Sequence, residues 1–188
     1  CTGGASYPAT GSTGDGYRLA AAAGHTIIPP KAALVPLETA ETWPKTLQGL
    51  ALKNVQLTVS QAERVLAKEF GELLFTHYGI SGPIVLSLSR WVTHCKPGQP
   101  VIASINLKPA LTEEQLDKRL QRDLLKHQRK EIRNSLDGLL PKRLIPIVIT
   151  MAGLEENKPV HQITRLERQQ LVRALTDLRM TISGTRPL

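Results

Sequence analysis

From residue 50 the apolar positions alternate, with Leu50, Leu52, Val55, Leu57 and Val59 on one side and a break at Lys53-Asn54. A period of two predicts a half-buried strand, and the break predicts a turn or bulge between its pieces. His25-Thr-Ile-Ile28 reads as a short strand stopped by Pro29-Pro30, and Ala33–Leu37 as another, whose Pro36 implies an edge or bulge. Residues 62–69 and 71–76 predict two more strands with Gly71 as the turn between them, and Val101–Leu107 a further one. Several short strands at this spacing predict a small antiparallel barrel.

The period changes after residue 110. Leu116, Leu120 and Leu124 recur every four residues behind Thr112, which has the type and place of an N-cap. Further helices are predicted at 134–140, 141–151 and 165–178, with Gly138 and Gly153 as stops, before Met180–Gly184 returns to strand character. Earlier in the chain, Ser81-Gly82-Pro83 opens a helix to about Trp91, and residues 14–23 predict a first helix ended by Gly24. The predicted fold class is α+β: a small antiparallel β-barrel-like unit (26–110 plus 179–184) interrupted by an inserted helical subdomain (111–178), with residues 1–25 set apart.

Composition changes this picture little. Aromatic residues make up 4% of the 188, so aliphatic side chains must build the core. The formal charge is +8, and the excess is spread along the chain. Lys118, Arg122, Lys126, Arg129 and Arg133 would fall on one side of a helix opposite the leucines, but Asp117, Asp123 and Glu131 share it. Mixed signs predict a solvated face, so nucleic acid is disfavoured as a partner. The alternative is a small basic α/β module that binds nucleic acid through its helical part. No apolar run reaches the ~18 residues of a membrane span. Cys1 and Cys95 form no spaced motif and read as reduced thiols of a cytoplasmic protein. His25, His77, His94, His127 and His161 lack metal-ligand spacing, so no metal site is expected.

Two stretches carry candidate chemistry. The opening, Thr2-Gly-Gly-Ala-Ser-Tyr-Pro-Ala-Thr-Gly-Ser-Thr-Gly-Asp-Gly-Tyr17, sets glycines among small hydroxyl residues ahead of a helix, the setting of a phosphate or nucleotide cradle. The exact motifs fail, however. Gly11 and Gly16 have P-loop separation, but Tyr17-Arg18 stand where Lys-Ser/Thr is needed, and Leu19 stands where a dinucleotide fingerprint needs its third glycine. The second stretch, Thr76-His-Tyr-Gly-Ile-Ser-Gly-Pro83, places an imidazole (His77), a phenol (Tyr78) and Ser81 beside a helix start. These three are the catalytic candidates. A nucleophile elbow would need glycine where Pro83 stands, which excludes serine hydrolysis by that motif.

The opening and a second block, Gly71-Glu-Leu-Leu-Phe-Thr-His-Tyr-Gly-Ile-Ser-Gly-Pro83, resemble a bacterial flavoprotein family of NAD(P)/FAD-dependent oxidoreductases, aminoacetone oxidase-like or BaiN-like. The resemblance extends over nearly the whole chain. It implies a flavin domain interrupted by a β-barrel, itself interrupted by helices of a helix–two-turn–helix kind. It implies that Thr2, Gly3 and Gly4, with Ser12, Thr13 and Asp15 as weaker candidates, lie close to FAD. Both Gly-rich flavin-binding ends of the family are missing, so the chain is expected to be the middle of a longer protein. On this reading residues 1–25 are a remnant of the FAD-binding domain, and the partners are a small-molecule substrate and the absent FAD-binding halves. FAD belongs to the full-length parent, with NAD(P)H compatible as reductant. The fragment alone is expected to hold no FAD and to be inactive.

Overall fold

In the computed structural model, which describes residues 2–186, the alternating stretch forms one long strand. In chain order the elements are α1 (Asp15–Ala22), β1 (Leu37–Thr39), α2 (Trp43–Thr46), β2 (Ala51–Gln61), β3 (Arg64–Phe75), β4 (Gly79–Ser81) and α3 (Pro83–Val92). They continue with β5 (Val101–Asn106), α4 (Glu113–Lys126), α5 (Ile145–Met151), α6 (Arg165–Thr176) and β6 (Leu178–Thr185). The six strands close into an antiparallel barrel in the order β1-β4-β3-β2-β5-β6. The α+β class is therefore correct, with a closed barrel and helices inserted between β5 and β6.

The break at Lys53-Asn54 is a bulge. The β2–β3 register shifts between Leu52 and Val55, and Asn54 has φ 55. Gly71 is not a turn residue: β3 runs through it, opposite Val55. The chain reverses instead at Ala62-Glu63, whose φ values of 50 and 60 mark the two-residue turn suited to strand twist. Ala-Glu carries none of the glycine or asparagine that announces such a turn. Gly71 serves packing, since a Cβ there would stand 2.8 Å from Ile84 Cγ2.

Neither His25–Ile28 nor Ala33–Val35 forms a strand. Regular structure is absent from residue 25 to residue 36, Ile28 is 86% exposed, and Leu34 sits at φ 57. A closed barrel offers no free edge to join, and Pro29, Pro30 and Pro36 have no N–H to give. Within the helical part, the predicted 134–140 helix is a 3-10 turn at Ile132–Asn134 followed by turns. The 141–151 helix is a 3-10 turn at Lys142–Leu144 leading into α5, where Pro146 occupies the first turn.

One apolar cluster runs from the barrel into the helices. Leu57, Phe75, Ile80 and Ile105 fill the barrel, and Leu116, Leu120, Val148 and Leu171 fill the helical part. α3 lays Ile84, Val85 and Leu88 onto it. Two capping boxes, Thr112 with Gln115 and Thr164 with Glu167, start α4 and α6. Arg168 then ties α6 to Asp117 of α4 at 2.6 Å.

Asp177 joins α6 to β6. It accepts hydrogen bonds from the Ser104 hydroxyl on β5 and from Arg179. Burial opposes its ionisation, but those hydrogen bonds and the Arg179 charge outweigh it and hold the carboxyl below its ordinary 3.8. A lowered pKa adds stability above the unfolded value and loses it as pH falls through the folded one. Asp177→Asn should therefore cost about 1 kcal/mol at neutral pH, at the low end for a charged hydrogen bond because the carboxyl is partly solvated. The deficit should begin to shrink as pH falls below about 3.8 and vanish once pH is below the folded-state value, as urea melts of both proteins across pH 2–7 would show.

Candidate functional site

The β3–β4 connection is a four-residue turn closed at both ends. Thr76 N–H donates to Gly79 O at 2.8 Å, and Gly79 N–H returns to Thr76 O at 3.3 Å and to its Oγ1 at 3.2 Å. β1 flanks the turn, with Thr39 N–H donating to Tyr78 O at 3.2 Å. The approach is so close that a Cβ on Gly79 would sit 2.5 Å from Leu37 O and 2.8 Å from Thr39 N. Glycine is required there by space, and its φ of 154 disfavours other residues as well. Gly82 caps α3 with φ 100.

This turn presents His77 exposed and Tyr78 half-buried, with their rings edge to face at 4.8 Å. Two residues that the sequence did not single out complete the cluster. Arg186, just past β6, lies over the Tyr78 ring at 4.9 Å. Its Nη1 donates to Glu38 Oε1 of β1 at 3.3 Å, and its backbone N–H to Pro36 O at 3.0 Å. Ser81 lies further on, half-buried and paired in register with Leu74. The arrangement gathers a phenol, an imidazole, a carboxylate and a guanidinium at one end of the barrel. It can donate hydrogen bonds to an oxygen and a proton to a carbon.

The N-terminal candidates form a second group. Gly14 N–H donates to Gly4 O at 3.1 Å, folding the loop back on the start of α1. A Cβ on Gly16 would meet Thr2 Oγ1 at 2.5 Å, and one on Gly3 would collide with the Ser12 side chain. Those glycines thus receive the loop's own side chains, whereas Gly4 and Gly11 have nothing within 4 Å of where a Cβ would be. Asp15 occupies the first turn of α1. Hydrogen bonds from Arg18 and then Thr13, with the Arg18 charge, hold it below its ordinary value. An ionised carboxylate already complements that helix end, so a phosphate gains little there. What fits a cofactor is the uncovered backbone at Gly4, open to close approach. Among the described residues, every hydrogen bond of residues 2–25 stays within that stretch, and none joins it to the 76–83 turn.

The cationic stripe is not one helix face. α4 ends at Lys126, so Arg129 and Arg133 lie beyond it. Its acids are engaged: Asp117 by Arg168, Asp123 by Arg119 at 3.6 Å, and Glu131 by Arg133 at 2.8 Å. Grooves of about 420 and 660 Å³ in the helical part are lined by residues such as Gln121, Gln128 and His161, or Met151 and Arg173, away from the turn. Cys95 is a free thiol pushed up by burial, and Cys1 lies outside the described residues. Among the described residues no group of His, Cys, Asp or Glu gathers in a way that could hold a metal, and no helix is long and apolar enough to cross a membrane.

Gly79→Ala should destabilise the fold by more than about 2 kcal/mol, because the added carbon meets backbone rather than a movable side chain. Gly4→Ala, facing open space, should cost under about 1 kcal/mol. Thermal melts of the two variants should separate by several degrees.

Comparison with known proteins bears on both groups. Residues 31–188 match the family model described as HI0933-like protein barrel and H2TH domain. The chain is 29% identical over 184 residues to a 3-dehydro-bile acid delta(4,6)-reductase of Clostridium scindens, covering 97% of this chain and 45% of that protein. It is 33% identical over 184 residues to a ribosomal RNA dihydrouridine synthase of Escherichia coli and 34% identical over 185 residues to one of Haemophilus influenzae. Each of those alignments covers 98% of this chain and 43% of the relative. The chain thus spans under half the length of the curated relatives it matches.

Proposed function

The chain belongs to the HI0933-like family of barrel and H2TH domains, and from that premise we propose that it is part of an FAD-dependent oxidoreductase that saturates a carbon–carbon double bond conjugated to a carbonyl. One observation carries this reading. The relatives' names, a delta(4,6)-reductase acting on a 3-dehydro bile acid and a synthase of dihydrouridine, describe one reaction on two unlike molecules. In a 3-oxo steroid with ring double bonds and in uracil alike, the bond that is saturated is conjugated to a C=O group.

FAD, when bound, supplies the hydride, and NAD(P)H is the reductant. The Gly4 backbone of the N-terminal loop, with Thr2 and Gly3, is the part of this chain that lies against it, and Ser12, Thr13 and Asp15 shape the loop. The 76–83 turn faces the substrate. Tyr78 is the proton donor to the carbon next to the carbonyl, and His77, packed on its edge, orients the phenol. Ser81 holds β4 in place beside them. The substrate is a small molecule or a small ring within a larger one, and the remaining flavin-binding parts are partners in the same protein. A cytoplasmic setting suits the free thiol of Cys95.

The test uses the full-length protein. It should purify with bound flavin and consume NADH or NADPH in the presence of a 3-oxo-Δ4 steroid or a uridine-containing RNA, giving the saturated product by mass. Tyr78→Phe should keep the flavin and lower turnover about 10²-fold. A protein without flavin, or one whose flavin reduces neither probe, would overturn the reading.

A second reading, binding to nucleic acid through the helical part, is favoured by one specific observation. Asp117, Asp123 and Glu131 are paired, while Lys118, Lys126, Arg129 and Lys130 stand exposed. If these cations hold an RNA backbone, affinity for RNA should fall steeply with salt, and Lys126→Gln with Arg129→Gln should flatten that slope by about two units at most. Weak, salt-insensitive binding would leave the stripe as a solvated face.

A further inference from the structure

We propose that Arg186 is the group that holds the substrate's carbonyl oxygen, with Glu38 and Tyr78 positioning its guanidinium. This rests on the conjugated-bond reduction proposed above.

Three distant stretches meet at this one side chain. The backbone N–H to Pro36 O carries the β1–β6 pairing one step past Thr185, which fixes where the side chain starts. The Tyr78 ring then supports its flat face at 4.9 Å, and Glu38 takes a single hydrogen bond from Nη1 at 3.3 Å. A guanidinium carries five N–H donors. An arginine serving only to neutralise a carboxylate tends to engage both oxygens in a fork. Here the contact is single and long. The other guanidinium nitrogens make no protein hydrogen bond among the described residues, and the side chain remains 45% exposed. The result is a cation held by its backbone, its face and one nitrogen, with donors left over, beside the turn that carries Tyr78 and His77.

Conjugated reduction needs such a donor. Bound flavin, once reduced, would supply a hydride, two electrons with one proton, to the carbon β to the carbonyl. The C=C π bond breaks, and the electron pair moves onto the carbonyl oxygen as an enolate. That oxygen gains its charge in the transition state, where a fixed cationic donor stabilises it most. A proton from the Tyr78 hydroxyl then closes the α-carbon bond and restores C=O, and solvent reprotonates the phenol. Because the requirement is a carbonyl oxygen and nothing else, Arg186 serves a steroid ketone and a uracil equally.

In the full-length flavoprotein, Arg186→Gln should lower kcat/KM for whichever probe the wild type reduces, the 3-oxo-Δ4 steroid or the uridine-containing RNA, by about 10²-fold or more. Flavin content and the rate of flavin reduction by NAD(P)H should not change. Arg186→Lys should recover part of the loss, and Glu38→Gln should lose less than Arg186→Gln. Binding of the saturated product, read from the shift in flavin absorbance, should weaken at least tenfold in Arg186→Gln. If that variant keeps wild-type kcat/KM, or loses activity only in step with flavin content or melting temperature, Arg186 is a latch between β6 and β1 and the proposal fails. A wild type without conjugated-bond reduction overturns the functional reading itself. The variants of an active wild type judge Arg186 alone.

Discussion

Closure of the barrel is the constraint on which the rest depends. β1 has three residues, yet it pairs with β4 on one side and β6 on the other. Those two ladders bring residues 38, 78 and 186 to one place. Without β6 returning after the helical insertion, Leu37 would have no partner in Thr185 and Glu38 would have no arginine beside it. Without a glycine at position 79, β4 could not approach β1, since the space is already filled by Leu37 O and Thr39 N. The cluster at the barrel end is thus a product of topology, assembled by the same contacts that remove the sheet's free edges.

The same closure explains which elements were legible in the sequence. β2, β5 and α4 each bury one regular face, and their periods of two and four show it directly: Val55, Leu57 and Val59, then Ala103 and Ile105, then Leu116, Leu120 and Leu124 are all buried. Thr112 was legible because capping is local chemistry. The strand expected at 25–28 and all but the last residue of the one expected at 33–37 had strand-like composition but no partner, and a strand without a ladder leaves its own N–H and C=O groups unpaired. Gly71 looked like punctuation, yet its role is set by Ile84, which approaches from α3.

The cluster at the barrel end was legible only in half. His77, Tyr78 and Ser81 stand together in sequence, so their turn could be singled out from its glycines and helix start. Glu38 and Arg186 lie 148 positions apart, and only the register Leu37↔Thr185 makes them neighbours. No spacing rule along the chain carries that information. The cationic stripe failed in the opposite direction. Its spacing matched a helix that stops at Lys126, and two of the acids that share it pair with the stripe's own arginines, Asp123 with Arg122 and Glu131 with Arg133.

A barrel end of this kind separates two tasks in substrate recognition. On the proposed reading, conjugated reduction asks for a donor at one oxygen and a proton at one carbon, and β1, the 76–79 turn and the end of β6 bring Glu38, Tyr78 and Arg186 close enough together to offer both. The remainder of the substrate, a fused-ring skeleton or a polynucleotide, lies outside that reach and must be met by other surfaces. In this chain Lys118, Lys126, Arg129 and Lys130 are exposed on α4 and the turn after it, while Asp117, Asp123 and Glu131 are tied up in pairs. A fused-ring molecule with at most one carboxylate gains little from that charge, whereas a polyanion gains more. If the proposed reduction and the nucleic-acid reading both hold, selection among substrates that share one conjugated carbonyl would fall to the helical insertion, and the salt dependence of RNA affinity would measure it separately from the effect of Arg186 on turnover.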